Sequence, residues 1–178
     1  MECAETINVK TLFPEEELQK GIKDLGAKLS EFYKGEEVYV ICVMRGGVFF
    51  AVELAKRLTV PVRMEFVKLS SYGSGTTSSG KVNAENVALP DLNGKNVLVA
   101  DDIVDSGLTA KYFLDFLKEN YQTKTLKFCS LLNKKSRRQV DINPDFHVFD
   151  VDDKFIVGYG LDYKEHYRNL PYIGYVEN

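Results

Sequence analysis

Nine residues, Asp101-Asp102-Ile103-Val104-Asp105-Ser106-Gly107-Leu108-Thr109, combine two chemistries that oppose each other. Gly107 lets the backbone approach a ligand. The helix opening here offers free N–H groups, and with the Ser106 and Thr109 hydroxyls these suit a phosphate monoester. Yet Asp101, Asp102 and Asp105 would repel a phosphate. The conflict resolves if the ligand carries hydroxyls between its phosphate and its reacting end. Asp101 and Asp102 then accept hydrogen bonds from a ribose diol, or hold Mg²⁺. Asp105 is left near a base or an anomeric carbon. The bland alternative makes Asp105 and Ser106 helix caps and Asp101-Asp102 a solvated turn. Two acids directly after a buried strand fit better with a loop that carries function on a rigid scaffold. The loop is not a Walker A motif, since no Lys follows the Gly, and no G-x-G-x-x-G follows a strand.

The surrounding pattern supplies that scaffold. Pro14 to Tyr33 has helical spacing, with Leu18, Ile22, Leu25 and Leu29 on one face and Pro14 in the first turn. Val38 to Val43 is an unbroken apolar run rich in β-branched residues, which predicts a strand buried on both faces. Gly46-Gly47 breaks it. A helix is expected over about Val48 to Leu58, with Val48, Val52, Ala55 and Leu58 at helical spacing, and a strand over Val62 to Leu69. Val87 to Leu89 reads as a short strand, and Asn93-Gly94 marks a turn. Asn96 to Ala100 is a second buried strand running into the acidic loop, followed by a helix to about Asn120 and a strand over Thr125 to Leu132. Shorter strands are expected near Phe146 to Phe149, Lys154 to Val157 and Tyr172 to Val176. Alternation of strand and helix predicts an α/β domain with a mostly parallel sheet.

Ser70 to Gly80, SSYGSGTTSSG, is too rich in Gly and Ser to bury a core face and reads as a mobile loop. A loop of that length in a small domain suggests a function. With 178 residues, 44% apolar and 28% charged, one domain spanning 1–178 is expected. Net charge of −3 argues against a general nucleic-acid binder. The one dense basic run, Lys134, Lys135, Arg137 and Arg138, reads as a solvated loop. Cys3, Cys42 and Cys129 have no metal-ligand spacing and read as inert thiols. No apolar stretch suits a signal core or a bilayer, so no membrane partner and a cytoplasmic location are expected.

The stretch VLVADDIVDSGLTAKYF resembles the ribosyl-pyrophosphate signature of type I phosphoribosyltransferases. Further segments resemble the hypoxanthine-guanine members in family order: Met44-Arg45-Gly46-Gly47, Ser71-Tyr72, Leu131-Leu132-Asn133-Lys134, and Asp153 to Tyr159 continuing through Arg168. The resemblance covers nearly the whole chain. It implies the type I phosphoribosyltransferase fold, with a hood formed by about 1–12 and 150–178. It implies transfer of ribose 5-phosphate from 5-phosphoribosyl 1-pyrophosphate to N9 of a 6-oxopurine, with Mg²⁺ as cofactor, in a homodimer or homotetramer.

The resemblance also implies roles. Asp105 is the proton-handling carboxylate at purine N7. Asp101 and Asp102 bind the ribose hydroxyls and a Mg²⁺, while Asp105, Ser106, Gly107, Leu108 and Thr109 surround the ribose 5-phosphate. Arg45, Gly46, Ser71, Tyr72 and Arg168 meet pyrophosphate, with a non-proline cis peptide at the Arg45 turn, and Asp162 meets a second metal and the base. Lys154 donates to O6, Phe155 stacks on the base, Ile156 offers its backbone carbonyl, and Lys134 steadies the O6 side or the loop. Taken without the resemblance, Lys154 is a charge at a strand start and Phe155 a core residue. The sequence departs from the family in Asp101, where Glu is common, in Ser106, where Thr is common, and in His166, where an aromatic is frequent. A xanthine-tolerant enzyme, a nucleic-acid-binding regulator and a plain nucleotide-binding module are the competing readings.

Overall fold

The computed structural model describes residues 7–71, 82–83 and 88–177. The chain begins with β1 (Val9–Phe13), α1 (Glu15–Phe32), β2 (Val38–Met44), α2 (Val48–Arg57) and β3 (Val62–Lys68). The two-residue strands β4 (Ser70–Ser71) and β5 (Val82–Asn83) pair antiparallel. Then come β6 (Asn96–Val104), α3 (Leu108–Asn120), β7 (Thr125–Asn133), β8 (Phe146–Asp150), β9 (Phe155–Val157) and β10 (Ile173–Val176).

The main sheet is parallel, with strand order β3-β2-β6-β7-β8. Alternation along its strands feeds two cores. Val38, Val40 and Cys42 join Leu18, Ile22 and Leu29 of α1 and Phe50 and Leu54 of α2 on one face. Tyr39, Ile41 and Val43 join Phe113, Leu114 and Leu117 of α3 on the other. Both faces are covered, which is why β2 and β6 read as continuous apolar runs. Antiparallel β1-β10-β9 makes a second, small sheet from the two ends of the chain.

Three expectations shift. The buried face of α2 is Phe50, Ala51 and Leu54; of the residues expected at helical spacing, Val48 packs partly against the same core and Leu58 is buried just beyond the helix, while Val52 lies on the exposed side. Ala88 and Leu89 are not in a strand. Strand β6 does not stop at Ala100 but continues through Asp101, Asp102 and Ile103 to Val104. Of the glycine-serine loop, Ser70 and Ser71 open the β4-β5 pair, and the expectation for the rest, Tyr72 included, lies outside the described residues.

Burial pushes the Cys42 thiol up to about 12 and raises that of Cys129 as well, so these two thiols resist ionisation; the expectation for Cys3 lies outside the described residues. No helix among the described residues is long and apolar enough to cross a membrane.

The position of α2 on the sheet is testable. Leu54→Ala empties a fully buried site and should cost about 2–5 kcal/mol. Val52→Ala, on the outer face, should change stability by roughly 0.5 kcal/mol or less. Urea unfolding monitored by circular dichroism measures both, and comparable losses would place Val52 in the core.

Candidate active site

The site begins where β6 loses a neighbour. Its ladder with β2 ends at the Cys42–Ala100 pair, whereas its ladder with β7 continues through Asp101–Ser130 to Val104–Asn133. The last residues of β6 are therefore held on one side and open on the other. Gly46 and Gly47 fill the gap after β2, where the Met44–Arg45 peptide is cis. A Cβ on Gly47 would lie 2.5 Å from the Val43 carbonyl oxygen and 3.3 Å from the Asp101 Cα. A Cβ on Gly46 would collide with Asp102 Oδ2. Only glycines let this turn sit against the acidic strand end.

Asp101 and Asp102 are half-buried. Asp101 Oδ1 accepts from the Asp102 N–H at 3.0 Å, and Asp102 Oδ1 accepts from the Ile103 N–H at 2.8 Å. Burial, then the neighbouring Asp102 charge, holds the Asp101 carboxyl well above the usual carboxylate range. Burial also raises Asp102, opposed in part by its hydrogen bonds and by the Arg168 guanidinium.

Three residues further on, Asp105 Oδ1 is buried with no hydrogen-bond partner among the described residues. Gly107 then takes φ +82° and caps α3 without a side-chain hydrogen bond. The Ser106 hydroxyl accepts from the Leu108 N–H at 3.3 Å. With no acid in the first turn, the free N–H groups around Thr109 leave a positive helix end for an anion. A cavity of about 230 Å³ joins these parts, lined by Val43, Met44, Leu69, the acidic strand end, Gly107 and Thr109.

The opposite wall comes from 158–168. Gly160, at φ +103°, lies so close to the Gly46 carbonyl oxygen that a Cβ would collide with it. Arg168 donates to the Gly160 carbonyl at 2.8 Å and pairs with Asp162 at 2.8 Å. Arg45 pairs with Glu165 at 2.6 Å, and Glu165 also lies 3.5 Å from Arg168. The structure thus joins Arg45, Gly46, Asp102, Asp162 and Arg168 into one wall.

The two lysines part company. Lys134 is buried at the end of β7, pairs with Asp153 at 3.1 Å and donates from Nζ to the Lys154 carbonyl at 2.8 Å. The Lys154 ammonium lies 4.2 Å from the centre of the Tyr175 ring and lines a separate cavity with Leu12 and Phe13. The basic run is therefore not a solvated loop throughout. Phe155 is 53% exposed, so it is not a core residue, and its ring meets Tyr163 edge-on. Ile156 is buried in β9.

Sequence reasoning missed Arg138, Gly160 and Glu165. Arg138 donates to the Ile142 and Val104 carbonyls and to Asn133 Oδ1, and its stem packs under Gly107. Its signal was position, since the basic run follows buried β7 as the acids follow β6. Glu165 carried no signal, because only folding brings it to Arg45. His147 sits beside Asp150, and His166 makes a bridge with Tyr163.

An acidic strand end beside a glycine-capped helix start, at the carboxyl edge of a parallel sheet, can take a ligand that carries both hydroxyls and a phosphate. The family model for the phosphoribosyl transferase domain matches residues 8–164, and the chain belongs to that family. Within it, the chain is 43% identical over 165 residues to the hypoxanthine-guanine phosphoribosyltransferase of Bacillus subtilis strain 168, covering 93% of this chain and 91% of that one. Its Streptococcus pneumoniae counterpart is 40% identical with the same coverage. Among solved structures, a hypoxanthine-guanine phosphoribosyltransferase from Bacillus anthracis superposes with a TM-score of 0.87 at 40% identity, covering 97% of this chain and all of that one. A hypoxanthine phosphoribosyltransferase from Trypanosoma cruzi gives 0.88 at 36%, covering 97% of each.

The raised Asp101 carboxyl means the fold disfavours its charge. That cost is full at neutral pH and fades as pH falls through the folded-state value towards the ordinary value of about 3.9. Asp101→Asn should therefore melt about 2–4 °C higher than wild type at pH 7. The difference should close as the pH approaches 4. A scanning-calorimetry series checks this, and a variant less stable at pH 7 contradicts the sign.

Proposed function

We propose that this chain transfers ribose 5-phosphate from 5-phosphoribosyl 1-pyrophosphate to N9 of hypoxanthine, and of guanine, giving IMP or GMP and releasing pyrophosphate. The observation that carries the reading is the continuity of β6 into α3. One stretch of chain holds three carboxylates and an anion-binding helix end, opposite a wall bearing Arg45 and Arg168. Similarity to purine phosphoribosyltransferases supplies the substrate class.

In this reading the 5-phosphate rests on Ser106, Gly107, Leu108 and Thr109. Asp101 and Asp102 accept hydrogen bonds from the ribose hydroxyls. These two carboxylates also fit Mg²⁺, because a divalent cation offsets the cost of keeping two carboxylates charged where burial raises their proton affinity. Mg²⁺ would neutralise the leaving pyrophosphate. Among the described residues no three ligating side chains form a metal cage; the ion would be held by one or two carboxylates and substrate oxygens. Asp162 would serve a second ion.

Arg45, Gly46 and Arg168, with Ser71 and Tyr72, take the pyrophosphate. Positive charge develops on the sugar as it leaves. The unpartnered Asp105 Oδ1 is free to hold a proton at purine N7. Of the two ammonium groups, Lys134 suits O6 better, being buried beside the strand end that bears Asp105, while Lys154 faces Tyr175. An ammonium can donate to a 6-oxo group but cannot accept from adenine's amino group. Exposed Phe155 stacks on the base, with the Ile156 carbonyl and Asp162 near C2. The β1-β10-β9 sheet forms the hood.

Self-association as a homodimer or homotetramer belongs to the same reading; sizing chromatography tests it, and a monomer-sized peak at working concentration counts against it. The free, buried thiols of Cys42 and Cys129 suit a reducing cytoplasm.

The test is nucleotide formation with 5-phosphoribosyl 1-pyrophosphate and each purine in turn. Product with hypoxanthine or guanine, none with adenine, and loss on chelation are expected. No product with any purine would overturn the reading, and product with xanthine would widen it. Asp105→Asn should lower kcat about 10²–10⁴-fold while changing sugar-phosphate affinity by less than about threefold. Equal losses would assign Asp105 a structural role.

A further inference from the structure

One acid in the site wall has no part in the reaction just described. Glu165 sits between the two arginines assigned to pyrophosphate, with its Oε2 2.6 Å from Arg45 Nη1 and 3.5 Å from Arg168 Nη2. A single carboxylate oxygen thus faces both guanidiniums. Arg168 keeps two other partners, Asp162 and the Gly160 carbonyl, which fix its direction. Arg45 is different, because Glu165 is its only ion-pair partner among the described residues. The backbone presents Glu165 unusually: its φ is +66°, and neighbouring Lys164 and Tyr167 also have positive φ. The Asp162 carboxylate caps the turn, accepting from the Glu165 N–H at 2.9 Å. L-residues rarely adopt this conformation, so the chain is bent to bring this carboxylate to the arginines.

We propose that Glu165 occupies the place of pyrophosphate in the ligand-free protein, holding Arg45 and Arg168 and competing with pyrophosphate for them. The inference rests on the assignment of those arginines to the pyrophosphate side. A carboxylate is an imperfect substitute for a phosphate, offering two acceptor oxygens and one charge. Pyrophosphate, more highly charged, displaces it, and the Glu165 side chain, 65% exposed, has room to leave. The exchange has two consequences. The arginines stay close together before substrate arrives, and the affinity for pyrophosphate is lowered, which favours release of that product. Glu165 is a positioning residue and touches no reacting atom.

The sign distinguishes this from a structural role, since removing a supporting contact weakens binding while removing a competitor strengthens it. Inorganic pyrophosphate is titrated calorimetrically, with Mg²⁺ held constant, into wild type, Glu165→Gln and Arg45→Ala. Exposed ion pairs are weak, so Glu165→Gln should lower Kd for pyrophosphate by about two- to fivefold. The gain should shrink between about 0.05 M and 0.5 M salt, because exposed charges are screened. An unchanged or raised Kd in Glu165→Gln, with binding weakened in Arg45→Ala, overturns the role of Glu165 and leaves the pyrophosphate subsite standing. An unchanged Kd in Arg45→Ala overturns the subsite and the proposal with it.

Discussion

Everything at this site depends on where a central strand stops being shared. Up to Ala100, β6 has hydrogen-bonded neighbours on both sides; beyond it, only β7 remains. A parallel strand paired on both edges exposes no backbone to a ligand. One paired on a single edge is rigid and still accessible. The acids gain the precision of a sheet and the openness of a loop. The glycine turn after β2 permits this by moving that chain aside without leaving a gap, and Gly46 and Gly160 allow backbone to close in where any side chain would block it.

The same arrangement concentrates charge of one sign. Asp101 and Asp102 are adjacent on a strand and partly removed from water, and their carboxyls hold protons more tightly than usual as a result. A purely structural sheet would place apolar or hydrogen-bonded groups there. Arg168 partly compensates Asp102, and it is itself held by Asp162 and the Gly160 carbonyl. The two arginines of the facing wall are paired with Asp162 and Glu165, while Asp101 and Asp105 have no ion-pair partner among the described residues. Such a distribution is costly in an empty protein and suits a ligand bearing phosphates at one end and hydroxyls and a base in between. Proteins accept local cost of this kind at functional sites.

Behind the site the basic run does more than solvate a loop. Arg138 ties Val104, Asn133 and Ile142 together under Gly107, so the helix end that would receive a phosphate is braced by a partly buried cation. Lys134 braces the neighbouring segment through the Lys154 carbonyl and Asp153. A count of charges cannot separate these two from Lys135 and Arg137, which point outward. The separation comes from position relative to the end of β7.

The sequence by itself determined the local elements and the loop chemistry. Apolar runs at Val38 and Asn96 could only be doubly covered strands, and acids followed by Ser106-Gly107 at a helix start could hardly be a plain turn. Those features depend on neighbours in the chain, and neighbours in the chain are what a sequence displays. The tertiary structure alone decided which face of α2 is buried, that Asp101 to Val104 are strand, that Lys134 is buried while the Lys154 ammonium faces Tyr175, and that Glu165 meets Arg45 across 120 residues. Each of these is set by which strand edge is left unpaired and which distant surface fills the space. Such packing terms join residues far apart in the chain, so no local pattern of residue types carries them.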